Sequence, residues 1–277
     1  MWVDVGACSV HDRAPMASLP LILLSNDDGV YAPGLRLLRS ALSEFAEVVT
    51  VAPLFEQSAN SHSLTLARPL RHREVDGLHA IDGTPADCIY VALYRQHFLP
   101  RRPDFVVSGI NHGYNLGTDT FYSGTVAAAR EAALRGVPAI AFSNGTGGSM
   151  EHAASVAAEL TRRFLAATLD PRSPTPLLNV NFPAKFNSYA GVRVTRLGRR
   201  LYDEEVVTRS DPRGHEYFWI GGPNARHEPV AGSDTEAVDD GYVSITPLHL
   251  DATLTEHLDL ASVIAGVPDA KSDQSPS

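Results

Sequence analysis

Short apolar runs alternate along the chain with segments in which apolar residues recur every three or four positions. The continuous runs predict strands that are buried on both faces, as in a parallel sheet, at residues 21–25, 48–52, 78–81, 105–107, 139–143 and 177–180. Helical spacing or helix-start signals predict helices at residues 34–45, 85–94, 124–135 and 153–169. Because strands and helices alternate, we predict an α/β fold with a mostly parallel sheet between layers of helices.

The pattern changes after residue 192. Two segments of strand-forming residues flank the turn sequence Asp211-Pro212-Arg213-Gly214 and predict a β-hairpin arm. One more strand is predicted from Gly241, and a helix follows it. We therefore divide the chain into a disordered N-terminal extension (1–20), an α/β catalytic core (21–190), an arm with a closing strand and helix used in oligomerisation (191–262), and a disordered tail (263–277).

Composition and charge exclude several classes of protein. Hydrophobic residues make up 44% of the 277 residues, which excludes global disorder. The formal net charge of -9 argues against a surface for nucleic-acid polymers. No apolar run approaches the ~18 residues of a membrane span, so we expect no membrane partner. Two cysteines form neither a disulfide framework nor a metal-binding spacing, and we expect a cytoplasmic protein.

Polar clusters follow several of the predicted strands. Asp27 and Asp28 end the first strand, and Gly29 gives the chain freedom to turn so that both carboxylates reach one point. Unpaired buried carboxylates cost on the order of several kcal/mol each, so a positive group is expected beside them. Hydroxyl and amide oxygens occur in the polar loop 54–67 and in the segment 108–115. Such oxygen donors suit magnesium or manganese.

A fourth cluster lies at the start of the Ala-rich helix 124–135. Backbone N–H groups and the helix dipole at Ser123, Gly124 and Thr125 would make an anion site of phosphate size. A metal beside such a site is a suitable arrangement for phosphoryl transfer to water.

Each cluster also has a simple structural explanation. Asp27 and Asp28 alone fit an acidic turn, Ser123 alone fits a helix cap, and Asn111 alone fits a residue that satisfies loop backbone groups. His62 and His112 are also candidates for catalytic acids or bases, but a histidine in a polar loop is more often an exposed residue without a catalytic role. The coincidence of all four clusters at predicted strand ends favours a functional site.

Several long motifs resemble the SurE family of metal-dependent nucleoside monophosphate phosphatases. They occur in the family's order: SNDDGVYAPGL, VVTVAPLFEQSANSHSLTL, DGTPADC, VVSGINHGYNLGTDTFYSGTVAAAREAALRGVPAIAFS and LLNVNFP. The resemblance implies a three-layer α/β/α Rossmann-like core with a protruding β-hairpin arm. It also implies hydrolysis of nucleoside 5'-monophosphates, and possible activity on 3'-monophosphates and short polyphosphate. The members form homodimers, often tetramers, partly by exchanging C-terminal elements.

The resemblance also implies roles for individual residues. One divalent ion per subunit, Mg or Mn, would be held by Asp27, Asp28, Ser58 and Asn111. Ser123, Gly124 and Thr125 would bind phosphate. Asp27 and Asp28 are the candidate catalytic residues. Two routes are compatible with this set, attack by an activated water or a covalent intermediate on Asp27.

Two other functions are considered. A signalling receiver domain also places paired acids after its first strand, but it needs an acceptor aspartate after a later strand, where this chain has Ser108-Gly109-Ile110-Asn111. A nucleotide-sensing protein with weak catalysis is the main alternative. It would bind nucleotides tightly without metal-dependent phosphate release.

Overall fold

The computed structural model describes residues 19–95, 97–184, 189–202, 206–220 and 225–267. Most of the predicted N-terminal extension (1–18) and most of the predicted tail (268–277) lie outside the described residues. Within the described ranges, none of the helices combines the length and the apolar character that crossing a bilayer requires.

The described residues form thirteen strands, six α-helices and two short 3-10 helices. The strands are β1 (Leu21–Ser25), β2 (Glu47–Pro53), β3 (His72–Val75), β4 (Leu78–Ile81), β5 (Phe105–His112), β6 (Ala139–Asn144), β7 (Leu177–Phe182), β8 (Val192–Val194), β9 (Arg200–Tyr202), β10 (Val206–Ser210), β11 (Glu216–Ile220), β12 (Ala225–His227) and β13 (Val243–Pro247). The helices are α1 (Pro33–Leu42), α2 (Pro85–Tyr94), α3 (Gly124–Leu134), α4 (Met150–Ala166), α5 (Asp234–Asp239) and α6 (Leu258–Ala265). The 3-10 helices are Gly117–Phe121 and Thr255–His257.

Nine strands form one sheet in the order β3-β4-β2-β1-β5-β6-β7-β13-β8. The six strands from β4 to β7 in this order run parallel to their neighbours. β3 pairs antiparallel with β4, and β13 pairs antiparallel with β7. The carboxyl ends of the parallel strands therefore meet along one edge of the sheet, which is where ligands bind in open α/β folds.

Helices cover both faces of this sheet because its strands are apolar on both sides. Successive side chains of a strand point to opposite faces. Ile22 and Leu24 pack in the layer that contains α1 and α4, whereas Leu23 packs with residues of α2 and α3. All three side chains are fully buried. These contacts confirm the predicted three-layer α/β/α architecture.

Several element bounds differ from the prediction: α1 ends at Leu42 rather than at residue 45, and β7 continues to Phe182 rather than ending at residue 180. β5 was expected to end at Val107, but it continues to His112 with an irregularity between Ser108 and Asn111, because the polar residues 111 and 112 pair with β6. β3 was not predicted, since its sequence HREV lacks an apolar run. α4 begins after Ser149, which caps it, and it ends at Ala166 rather than at residue 169.

The strands of the segment assigned to the arm (191–262) belong to more than one sheet, which was not expected. Of the described residues, those of β10 and β11 form the predicted hairpin, whose turn contains Asp211 and Gly214. β8 and β13 lie within the range 191–262 but pair with each other in the main sheet, and β9 pairs with β12. α6 continues to Ala265, past the predicted start of the tail at residue 263. Three-residue strands such as β8 depend on partners distant in sequence, so local patterns identify them poorly.

Candidate metal and phosphate site

A tight turn after β1 carries the paired acids. The Asn26 side chain donates from Nδ2 to the carbonyl oxygen of Gly29 at 2.9 Å and closes this turn. Gly29 has a φ of +93°, and a Cβ there would lie 3.1 Å from the backbone of Phe55. Glycine is therefore required both by the turn and by the close approach of the loop that follows β2.

Asp27 is a buried acid with a hydroxyl partner. The residue is 4% exposed, and its Oδ1 accepts a hydrogen bond from the Thr125 hydroxyl. Burial raises the pKa of Asp27 to about 6, the nearby charge of Asp28 adds to the increase, and the bond from Thr125 opposes it. Among the described residues, no ion pair involves Asp27. A buried carboxylate in this state is stabilised by a nearby cation.

Asp28 is less buried, and it lies beside another acid. Its Oδ2 accepts from the backbone N–H of His112 at 3.2 Å. Burial raises the pKa of Asp28, the charge of Glu56 raises it further, and the bond from His112 lowers it. The site thus concentrates negative charge at one end of the sheet, as a divalent cation would require.

Ser58 and Asn111 supply neutral oxygens. The Ser58 hydroxyl donates to Glu56 Oε1 at 2.8 Å, and its oxygen lone pairs remain able to accept or ligate. Asn111 donates from Nδ2 to the carbonyl oxygen of Gly113 at 3.0 Å, which orients the amide and leaves its Oδ1 as an acceptor. Both residues suit a hard divalent ion.

The structure brings most of the predicted donors together. Asp27, Ser58, Asn111 and Ser123 line one cavity of about 360 Å³. Asp28 lines an adjacent cavity of about 430 Å³, which shares Ser58 and His112 with the first. Among the described residues, no group of three or more His, Cys, Asp or Glu side chains is placed to hold a metal ion. A site of two carboxylates, a hydroxyl and an amide would not form such a cluster, so the donor set fits Mg or Mn rather than a softer metal.

The loop that carries Ser58 is anchored at several points. Gln57 donates its backbone N–H to the Asp27 carbonyl oxygen at 2.8 Å, and Ser61 donates its own to the Tyr122 carbonyl oxygen at 2.9 Å. His62 Nε2 lies 2.8 Å from Oε2 of buried Glu131. Burial alone would raise the pKa of Glu131, but its bonds with His62 and Arg135 hold it below the ordinary value. The structure therefore gives His62 a contact that orders the loop.

The start of α3 lies against Asp27. Ser123 caps the helix, accepting at Oγ from the Val126 N–H at 3.1 Å, and it lines the same cavity. A Cβ at Gly124 would lie 2.7 Å from Asp27 Cβ, so only glycine allows this approach. Thr125 is fully buried, and its hydroxyl is directed at Asp27. The cavity is thus open to Ser123, while Gly124 and Thr125 support the carboxylate behind it.

Other residues that line the cavity were given no role by the sequence. Asn115 lies in the motif of Asn111 and belongs to a buried network, in which its Nδ2 donates to Ser143 Oγ at 2.8 Å and its backbone N–H donates to Asn181 Oδ1 at 2.8 Å. Arg200 and Tyr202 come from β9, and both contact Asp119. The position of Asn115 close to Asn111 was a usable signal, but no local signal marks the two β9 residues.

Comparisons with known proteins identify the family of this chain. The family described as Survival protein SurE matches residues 22–204. A relative from Sorangium cellulosum (strain So ce56), named 5'-nucleotidase SurE, is 59% identical over 249 residues, which cover 89% of this chain and 96% of the relative. A relative of the same name from Myxococcus xanthus (strain DK1622) is 50% identical over 240 residues, covering 85% of this chain and 89% of the relative.

A solved structure supports the same family assignment. The SurE protein from Aquifex aeolicus superposes with a TM-score of 0.77 at 40% sequence identity, covering 89% of this chain and 100% of that chain. The resemblance inferred from the motifs is thereby confirmed over most of the sequence. This chain belongs to the SurE family.

Proposed function

We propose that this protein is a 5'-nucleotidase that hydrolyses nucleoside 5'-monophosphates to a nucleoside and phosphate. The observation that carries the proposal is one cavity that joins buried Asp27 and the oxygens of Ser58 and Asn111 to the capped start of α3. The relatives named 5'-nucleotidase SurE, which cover most of this chain, support the same activity. Action on 3'-monophosphates and short polyphosphate belongs to the proposal as a possible extension.

One divalent ion per subunit, Mg or Mn, would be held by Asp27, Asp28, Ser58 and Asn111. When bound, it would supply positive charge that offsets the carboxylates and polarises the phosphate ester. The residues of this chain would do the rest. Thr125 holds Asp27 through its hydroxyl, and Ser123 with the free N–H groups of α3 would bind the phosphate oxygens.

Self-association is also proposed, as a homodimer or tetramer in the cytoplasm. The β10–β11 hairpin exposes Phe218, Trp219 and Ile220, the last with 90% of its surface accessible. α6 exposes Val263 and Ile264, at 76% and 79%. Exposed apolar side chains grouped on two elements are typical of a protein interface.

A phosphate-release screen tests the function. The full chain would be incubated with 5'- and 3'-monophosphates of each nucleoside and with short polyphosphate. EDTA should abolish release from the 5'-monophosphates, and added Mg or Mn should restore it. Tight nucleotide binding without release would instead support the sensing alternative. Release that persists in EDTA would contradict the proposed metal.

The phosphate role of Ser123 makes a separate prediction. Ser123→Ala is expected to lower phosphate release by about 10-fold or more, because a hydrogen bond to a charged group contributes roughly 1.5–3 kcal/mol. Ser149→Ala is the matched control, since Ser149 caps α4 in the same way, accepting from the His152 N–H at 3.2 Å. Both variants should lose about 1 kcal/mol of stability with the cap. Equal activity in the two variants would remove Ser123 from the phosphate site.

A further inference from the structure

Two histidines face each other on the hairpin that β3 and β4 form at the edge of the main sheet. His72 Nε2 lies 3.1 Å from His79 Nδ1. Both residues are half-buried, and they lie outside the two cavities around Asp27 and Asp28. The metal and phosphate site therefore gives this pair of side chains no role.

The strand register places a carboxylate on the same face of the hairpin. Glu74 is directly opposite His79 in the pairing of β3 with β4, and His72 precedes Glu74 by two residues. Residues two apart along a strand share one face, and the Cβ atoms of opposite residues lie about 4.5–5.5 Å apart. His72, Glu74 and His79 therefore share one face of this hairpin.

The separation of the two ring nitrogens is that of two ligands of one metal ion. Histidine nitrogens bind Zn²⁺ at about 2.0–2.1 Å, so two of them at roughly 90–109° around the ion are about 2.9–3.4 Å apart. The observed 3.1 Å lies within that range. In the metal-free protein this contact is an N–H···N hydrogen bond. One ring has to move its proton to its other nitrogen, and both facing nitrogens then offer a lone pair.

Phe98 holds the two rings in this arrangement. The His79 ring stacks on the Phe98 ring, with centroids 4.4 Å apart and an angle of 24° between the planes. The His72 ring lies 4.8 Å from the same ring at an angle of 55°. Phe98 is itself 6% exposed and packs with Ile81 in the core. Because the rings are already oriented, a bound ion would cost little additional side-chain ordering.

The surrounding charges keep His79 in the form that binds metals. Burial lowers the pKa of His79, and the charges of His72 and Arg95 lower it further, whereas Glu74 acts in the opposite direction. A histidine must be neutral to ligate a metal ion. The carboxylate of Glu74 also supplies negative charge beside the pair, which favours a cation there.

We propose that His72 and His79 bind a transition metal ion such as Zn²⁺, Ni²⁺ or Cu²⁺, and that the Glu74 side chain turns to become a third ligand. Imidazole nitrogens suit these ions, whereas Mg²⁺ prefers oxygen donors. This site is therefore chemically distinct from the one around Asp27, and the inference does not depend on the proposed function. A bound ion would connect the edge strand β3 to β4 and stabilise the folded protein.

Copper identifies the ligands. One equivalent of Cu²⁺ would be added to the full-length protein in excess Mg²⁺, and the electron paramagnetic resonance spectrum would be recorded. The wild type should show coupling to two imidazole nitrogens. His72→Asn and His79→Asn should each lose at least one of them. His249→Asn is the control, because His249 is an exposed histidine whose Nδ1 contacts the backbone of Asp251, and it should keep the wild-type spectrum.

Zinc measures the affinity, by competition with a chromophoric chelator in the same buffer. Each of the two histidine variants should bind Zn²⁺ at least about 10-fold more weakly than the wild type, since even groups that only support a ligand contribute 10–100-fold. Glu74→Gln should weaken binding several-fold. Zn²⁺ should also raise the midpoint of denaturant unfolding of the wild type, and this increase should be absent in His72→Asn and His79→Asn.

A wild-type copper spectrum without two nitrogen couplings would overturn the inference, and this result needs no variant to fold. Unchanged zinc affinity in both histidine variants would also overturn it, and the pair would then be an inter-strand hydrogen bond. Unchanged affinity in Glu74→Gln would refute the role of Glu74 as the third ligand.

Discussion

Asp27→Asn is expected to lower phosphate release from nucleoside 5'-monophosphates by on the order of 100-fold or more, beyond the effect usual for groups that only support a metal ligand. Asp27 is the most buried carboxylate of the proposed metal site, and it lies between Thr125 and the cavity. Replacing one carboxylate oxygen with an amide nitrogen removes a charge that would attract the proposed divalent ion. Steady-state phosphate release at saturating Mg or Mn measures the effect.

Asp76→Asn is the matched control for this change. Asp76 is 67% exposed at its side chain and pairs with Arg36 on the surface, so its loss should leave turnover unchanged. Near-normal turnover in a well-folded Asp27→Asn protein would contradict the assigned role.

Although Asp27→Asn should lower turnover, it should raise the stability of the metal-free protein. The pKa of Asp27 rises from an ordinary 3.8 to about 6 on folding, so the ionised carboxylate destabilises the metal-free protein above pH 6. That penalty, on the order of 3 kcal/mol at neutral pH, is lost as the pH falls from 6 towards 4. In EDTA, denaturant unfolding should therefore show Asp27→Asn to be more stable than the wild type at pH 7.5, and the difference should disappear near pH 4.

Gly124→Ala is expected to reduce turnover by on the order of 100-fold without altering any proposed metal ligand, because small displacements of a reacting group can cost this much. The added Cβ would lie 2.7 Å from Asp27 Cβ and 3.1 Å from Pro85 Cγ. Either Asp27 or the start of α3 must then move. Overpacking of this kind also costs about 1–3 kcal/mol of folding free energy. Phosphate release and denaturant unfolding of the same preparation measure the two effects.

Gly83→Ala is the control that distinguishes the effect of overpacking on stability from an effect on the site. Its Cβ would lie 2.6 Å from Asp87 Oδ2 and 2.7 Å from Leu70 Cδ2, away from the cavity. This variant should lose stability but retain turnover per folded molecule. If Gly124→Ala kept wild-type turnover, the contact between α3 and Asp27 would be unimportant for the reaction.

The central sheet was predictable because its signals are local. Continuous apolar runs such as residues 21–25 identify strands buried on both faces, and the helix-start signal Thr84-Pro85 correctly placed the start of α2, where Thr84 caps the helix. The end of β5 was misplaced because Ser108, Asn111 and His112 are polar, and their pairing with β6 depends on a partner strand rather than on hydrophobicity.

The candidate site also contains residues that local patterns predicted and residues that they did not. Asp27, Ser58, Asn111 and Ser123 lie in motifs close to strand or helix ends, so sequence and topology together predicted that they would meet. Arg200 and Tyr202 reach the cavity through contacts with Asp119, which is more than 80 residues away in sequence. Nothing in the local pattern of β9 indicates that contact, since it exists only once the chain has folded.

The contact between Asp119 and β9 bears on how far this protein can be shortened. A fragment that stops at Phe182 would retain all four oxygen donors and the start of α3. It would lack Arg200 and Tyr202, one wall of the cavity, and it would leave β7 as an uncovered sheet edge because β13 would be missing. The smallest working version of this enzyme therefore has to extend through β13, even though its charged centre is complete long before that point.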